Sequence, residues 1–151
     1  MIISSALMHL AVNFFVLLVF CRFAGMTLYL GSLLVPVVLL PLVLLSLGCS
    51  WFLASLGVYL RDMAQVIGII ANVSLFMAPV FYPIDALPEE FRSIVEWNPI
   101  TLPVIQVREL LLWGAPVQWS HWVTSLIVCC FVCVTGYLWF QKTRRGFSDV
   151  I

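Results

Sequence analysis

From Phe23 to Leu60 the chain contains no Asp, Glu, Lys or Arg, and this uncharged run restricts the possible fold more than any other feature. A helix crossing the hydrocarbon core of a bilayer needs ~20 apolar residues. Four segments meet that requirement, near 2–21, 33–60, 63–82 and 119–141. The second lies inside a run longer than one span requires, so part of FAGMTLYLGS is expected to form a loop or a tilted approach. Pro36 and Pro41 fall within it and are expected to kink the helix rather than end it, because neighbouring helices can satisfy the freed carbonyls. Only 9% of the residues are charged, against about 25% in soluble domains. The expected class is therefore an all-α integral membrane protein. Net charge is zero, which argues against a nucleic-acid partner. The N-terminal stretch MIISSALMHLAVNFFVLLVFCRF lacks a basic n-region and a following small-residue cleavage site, so it reads as a retained span and not a signal peptide.

Four spans place both termini on one side. Lys142, Arg144 and Arg145 directly follow the last span, which assigns the tail 142–151 to the cytoplasm by the positive-inside bias. Arg61 and Asp62 then form a tight cytoplasmic turn between the second and third spans, and they are the candidate contacts for a cytoplasmic partner. The stretch from Tyr82 to Ser120 is expected outside, with Arg22 a mild exception on that side.

That outer stretch concentrates acid. Asp85, Glu89, Glu90 and Glu96 fall within YPIDALPEEFRSIVEWNPIT. Pro88 suits a first-turn helix position, and Glu89 and Glu90 suit the positive end of the helix dipole. Leu87, Phe91, Ile94 and Val95 recur on one face, and Asn98-Pro99 ends the helix. A second helix is expected to start near Pro103 and to be capped by Gly114. Two short helices, near 87–97 and 102–113, form a re-entrant or interfacial pair, since neither can span. Trp97, Trp113, Trp119 and Trp122 fit the headgroup level.

Several chemistries are absent from the sequence. It has no P-loop, no HExxH, no G-x-S-x-G and no dinucleotide fingerprint. No cofactor, metal site or catalytic residue is expected. The five cysteines lie in or beside apolar runs and read as small buried hydrophobes, the C-x-x-C within CCFVC included. His9 sits inside the first span, where an ionisable group raises a functional question that a hydroxyl such as Ser4 or Ser5, or a carbonyl, could answer structurally. No charged residue lies at the centre of any span, which argues against proton-coupled transport.

The ordered segments GVYLRDMAQVIGII, APVFYPIDALPEEFR and WNPITLPVIQVRELLLWG, then a final span and a tail ending GFSDVI, resemble the membrane subunit of ABC-2 type exporters. In particular they resemble the branch exporting O-antigen, capsular polysaccharide and teichoic acid. Matching features are Arg61-Asp62, the PVFYP cluster, Leu87-Pro88, Asn98-Pro99, Arg108 and Phe147-x-Asp149. The resemblance covers the chain but only the later part of the family's length, beginning just before the family's third span. The expectation is a fragment lacking an N-terminal helix and two spans.

The resemblance implies a permease of the bacterial inner membrane that pairs with a second permease copy and with separate ATP-binding subunits. It implies that the short helix pair re-enters the membrane as an external gate. A lipid-linked polysaccharide would pass beside aromatic side chains. Candidate path and gate residues are Phe81, Tyr82, Pro83, Trp97, Asn98, Pro99 and Arg108. The alternatives are an ABC-2 exporter of drugs or other lipids, a membrane-embedded glycan-modifying enzyme using Glu89, Glu90 and Glu96, and an accessory membrane subunit.

Overall fold

A computed structural model describes residues 2–23, 25, 29–60, 62–80, 82, 84–96 and 98–144, and every regular element among them is helical. Helix α1 spans Ile2–Phe23, and a 3-10 turn at Leu30–Leu34 leads into α2 (Val35–Val38) and α3 (Leu40–Tyr59). Helix α4 spans Met63–Met77, and a second 3-10 turn (Ile84–Ala86) precedes α5 (Glu89–Glu96) and α6 (Thr101–Leu112). Helix α7 (Trp119–Thr143) closes the described chain.

Among the described residues, two helical stretches are long and apolar enough to cross a membrane, Gly31–Tyr59 and Trp119–Thr143, while Met8–Phe23 and Gln65–Met77 are shorter apolar stretches. The first of the long pair has 29 residues, or ~44 Å of helix against a hydrocarbon core of ~30 Å. It bends at Leu39, between α2 and α3. The cause is Pro41, which has no N–H to offer the carbonyl of Val37 four residues earlier. The indole N–H of Trp122 on α7 donates to that carbonyl at 3.1 Å. The expected kink is present, and a neighbouring helix supplies the missing donor.

Helices α3 and α7 share the largest interface of the molecule and run parallel. Trp122 meets Val37 at one end, and the Tyr59 hydroxyl lies 3.5 Å from the Thr143 carbonyl at the other. Between them the rings of Trp51 and Tyr137 lie 5.1 Å apart and those of Phe52 and Trp139 lie 5.7 Å apart. The helices cross at Gly48 and Gly136. A Cβ on Gly48 would sit 2.7 Å from the Cα of Cys133, and one on Gly136 would sit 2.9 Å from the carbonyl carbon of Gly48. Backbone therefore packs directly on backbone, the close approach that small residues permit in membrane helices. A groove of about 380 Å³ borders the crossing, lined by Phe52, Ile70 and Trp139 among others.

Several hydroxyls along these helices are satisfied locally. Ser46, Ser50 and Ser55 donate to carbonyls three or four residues back in α3, and Thr124, Thr135 and Thr143 do the same in α7. This arrangement suits a medium without water. At the far end of the molecule α6 lies against the Leu30–Val38 segment, where Leu110 forms a buried cluster with Val35 and Val38. Phe14 brings α1 onto the same cluster. Gly114 ends α6 as expected, with φ +61 and the Tyr29 ring lying over it.

Two expectations need correction. The third span was placed at 63–82, but α4 stops at Met77. Pro79 disfavours helical geometry in the preceding residue, and Ala78 is extended at φ −83, ψ 137. The cysteines are not uniformly buried. Cys129 is buried, Cys21 and Cys133 are half-buried, and Cys49 and Cys130 are exposed on helix faces. His9 is likewise exposed, on the opposite side of α1 from Phe14.

The crossing yields a direct test. Gly136→Val should lower the thermal unfolding temperature of the purified protein by an amount equivalent to at least ~1–3 kcal/mol, the usual cost of overpacking. Gly57→Ala should change it little, because nothing lies within 4 Å of a Cβ there.

Candidate functional site

The chain changes character where α4 ends. At ~1.5 Å per residue the 15 residues of α4 make ~22 Å of helix, less than a bilayer core. The next residues are irregular, and Pro79 and Pro83 can donate no backbone hydrogen bond. Irregular backbone at membrane depth persists only where protein satisfies its carbonyls. Arg108, on α6, does so. Its Nη2 donates to the carbonyls of Pro79 and Val80, both at 2.7 Å, and its Nη1 donates to the Tyr82 carbonyl at 3.1 Å. A guanidinium presents five N–H donors in a rigid fork, which is why one side chain can hold three carbonyls. The cation also lies beyond the C-terminal end of α4, where the helix dipole favours positive charge.

Tyr82 contributes to the same junction. Its hydroxyl donates to the Phe76 carbonyl at 3.0 Å, capping one of the carbonyls that the last turn of α4 leaves open. The break after α4 is thus held by Tyr82 from within and by Arg108 from α6.

The short helix pair has the expected order. Helix α5 carries Glu89 and Glu90 in its first turn, both exposed. Val95 is buried on the opposite face, and Arg92 folds back to the Leu87 carbonyl at 3.5 Å. Asn98 and half-buried Pro99 separate α5 from α6. The Asn98 side-chain oxygen accepts the Ile100 N–H at 3.0 Å, and its carbonyl accepts the Thr101 N–H at 2.9 Å. This is an Asx turn, so Asn98 shapes the connection between the helices. Helix α6 buries Pro103, Gln106 and Leu110 at one-face spacing. Gln106 is 7% exposed and donates to the Gln118 carbonyl at 3.1 Å, which ties α6 to the start of α7.

Arg108 and Tyr82 therefore come together, with Asn98 and Pro99 at the far end of α6 from the α4 break. Phe81, Pro83, Trp97 and Arg61 lie outside the described residues. Asp62 is exposed at the start of α4, where its carbonyl takes the N–H groups of Gln65 and Val66 and its side chain forms no cap. The parallel α3 and α7 put Asp62 at the same end of the molecule as Lys142 and Arg144. No group of three or more potential metal ligands occurs among the described residues. The sequence reading missed the bond from Trp122 to Val37. Pro41 was the available signal, since it identifies the carbonyl in need of a donor.

A bundle of apolar helices, one of them broken by a proline, with a short helix pair held to the irregular stretch after α4, is the architecture of an all-helical membrane protein. The chain belongs to the ABC-2 type transporter family, whose membrane-domain model matches residues 1–112. Two curated relatives are O-antigen export system permease proteins RfbA of Klebsiella pneumoniae. They are 23% and 22% identical to this chain over 118 and 117 residues, each match covering 78% of this chain and 45% of the relative. A third is the daunorubicin resistance ABC transporter permease protein DrrB1 of Streptomyces coeruleorubidus, 29% identical over 94 residues, covering 60% of this chain and 32% of the relative. The chain spans less than half the length of these relatives.

Loss of the clamp should be measurable. Arg108→Met should destabilise the purified protein by about 3 kcal/mol, given ~1–3 kcal/mol per polar group left buried and unpaired. Arg108→Lys should restore only part of this, because an ammonium lacks the planar fork. Trp122→Phe, which orphans the Val37 carbonyl, should cost about 1 kcal/mol in the same thermal unfolding assay.

Proposed function

We propose that this chain is part of a permease that exports a lipid-linked polysaccharide across the bacterial inner membrane. ATP hydrolysis is supplied by a separate ABC subunit, and a second permease copy completes the path. The observation that favours a glycan over a drug is coverage: the O-antigen export permeases match 78% of the chain and the daunorubicin permease 60%. In this reading the chain is not an enzyme and carries no cofactor.

The geometry supports specific roles. Helices α5 and α6 form a re-entrant gate on the outer side. Contact of Leu110 with Val35 and Val38 favours this, because it sets α6 alongside the first turns of a span and not beyond its end. Arg108 makes the gate and the end of α4 move together, since three hydrogen bonds join them. The end bearing Asp62, Lys142 and Arg144 faces the cytoplasm, in line with the positive-inside bias, and Arg61-Asp62 contact the ATPase subunit. Glu89 and Glu90 are solvated first-turn carboxylates stabilised by the helix dipole, with no catalytic role.

Deletion of the gene should abolish glycan export and cause lipid-linked glycan to accumulate on the cytoplasmic face, measured by extraction of lipid-linked sugars. Loss of drug resistance with normal glycan export would instead favour the daunorubicin-type reading. The natural full-length protein should co-purify with an ABC ATPase, and Glu89→Gln and Glu90→Gln should leave export intact. Failure of co-purification overturns the transporter assignment. Abolition of export by either glutamine variant revives the glycan-modifying enzyme.

A further inference from the structure

The stretch Gly31–Tyr59 is interrupted more deeply than one proline requires. Helical rungs run from each N–H to the carbonyl four residues back. Leu39 donates to Val35 at 2.9 Å and Val43 donates to Leu39 at 3.2 Å, but the three rungs between them, onto Pro36, Val37 and Val38, are absent. Pro41 accounts for the one onto Val37, since it has no N–H. Leu40 and Leu42 do have an N–H, and the bend holds both off the carbonyls of Pro36 and Val38. Leu39 is therefore the middle of a joint.

The elements on either side of this joint pack as two bodies. On one side Leu110 of α6 is buried against Val35 and Val38, and a Cβ on Gly31 would meet its Cδ1 at 2.9 Å. The 3-10 turn at Leu30–Leu34, α2 and α6 thus form one arm. On the other side α3 is fixed to α7 by backbone packing at Gly48 and Gly136. Two side chains tie the arm to the start of α7. Trp122 donates to the Val37 carbonyl at 3.1 Å, and Gln106 donates to the Gln118 carbonyl at 3.1 Å.

We propose that Leu39 is a hinge on which this arm tilts relative to α3 and α7, and that Trp122 is the latch that holds it bent. The proposal deepens the gate reading above by naming the joint on which α6 moves. A straighter span gains the rungs from Leu40 and Leu42. It loses the Trp122 bond and presses the Pro41 ring toward the Val37 carbonyl. These contacts offset one another, which gives two arrangements of similar free energy, and a few element-terminal residues suffice to absorb such a change. Trp122 is a positioning residue in this device, and its ring meets that of Trp119 edge-on with centroids 5.8 Å apart. Arg108 joins α6 to the carbonyls of Pro79, Val80 and Tyr82, so tilting the arm also displaces the end of α4.

The test uses the full-length protein in lipid nanodiscs, with its native cysteines replaced by alanine. Spin labels are placed on two pairs of exposed positions, Leu33→Cys with Phe131→Cys and Leu112→Cys with Phe131→Cys. Labelled protein is diluted with unlabelled copies, so that pulsed electron resonance reads distances within one chain. Trp122→Phe should raise the share of a second distance about fivefold in both pairs, the shift expected from one hydrogen bond. Pro41→Ala restores the third rung and removes the ring, and it should make that same second distance the main one.

No second distance in either variant, different second distances in the two, or a shift confined to the Leu33 pair would overturn the hinge. So would a broad distribution without a defined second distance, the mark of lost order. The distances are read without cargo, so these failures reject the hinge and leave the transport reading standing. Absence of glycan export from the wild type rejects the transport reading and leaves the hinge.

Discussion

In this chain a carbonyl without a donor has no water to turn to, and the structure is organised around that constraint. A peptide oxygen exposed in hydrocarbon costs several kcal/mol, so each place where a helix is interrupted needs a side chain to close it. Pro41 frees the Val37 carbonyl and Trp122 answers it. The end of α4 frees the Phe76 carbonyl and Tyr82 answers it. The irregular stretch beyond frees those of Pro79, Val80 and Tyr82, and Arg108 answers all three. The donors are an indole, a phenol and a guanidinium, side chains long enough to cross from one element to the next. Satisfying the backbone is thus what joins the elements.

The same logic explains why so few specific interactions suffice. Apolar side chains gain little from choosing one another over lipid, so helix association relies on close packing and on hydrogen bonds. The crossing at Gly48 and Gly136 provides the close packing, and the hydrogen bonds at its two ends fix the register of α3 against α7. Because these helices run parallel, Lys142 and Arg144 at the end of α7 and Asp62 before α4 share one end. The acidic helix α5 and its partner α6 pack at the other. The separation of charge follows from one helix pair.

Much of this was legible in the sequence. Periodicity and the Pro88, Asn98-Pro99 and Gly114 signals located α5 and α6 to within two residues, since these are local backbone effects that no distant contact overrides. The reading of 63–82 as one helix failed because hydrophobicity continues through Pro79 while helical geometry does not. Hydropathy measures solvent preference and says nothing of where the backbone can remain helical. Burial of the cysteines was also misjudged, because an apolar residue in a bilayer helix can face outward at no cost.

Arg108 shows most clearly what sequence leaves open. The resemblance alone singled it out, as one of the candidate path and gate residues. Only the packing of α6 against the α4 break shows the guanidinium turned onto three carbonyls. The sequence alone determined the medium, the helical class and the breaks at Pro41 and Asn98-Pro99, because composition and proline act locally. The tertiary structure decided which side chain closes each break, because a long-range donor is chosen by the approach of two elements that no local pattern encodes.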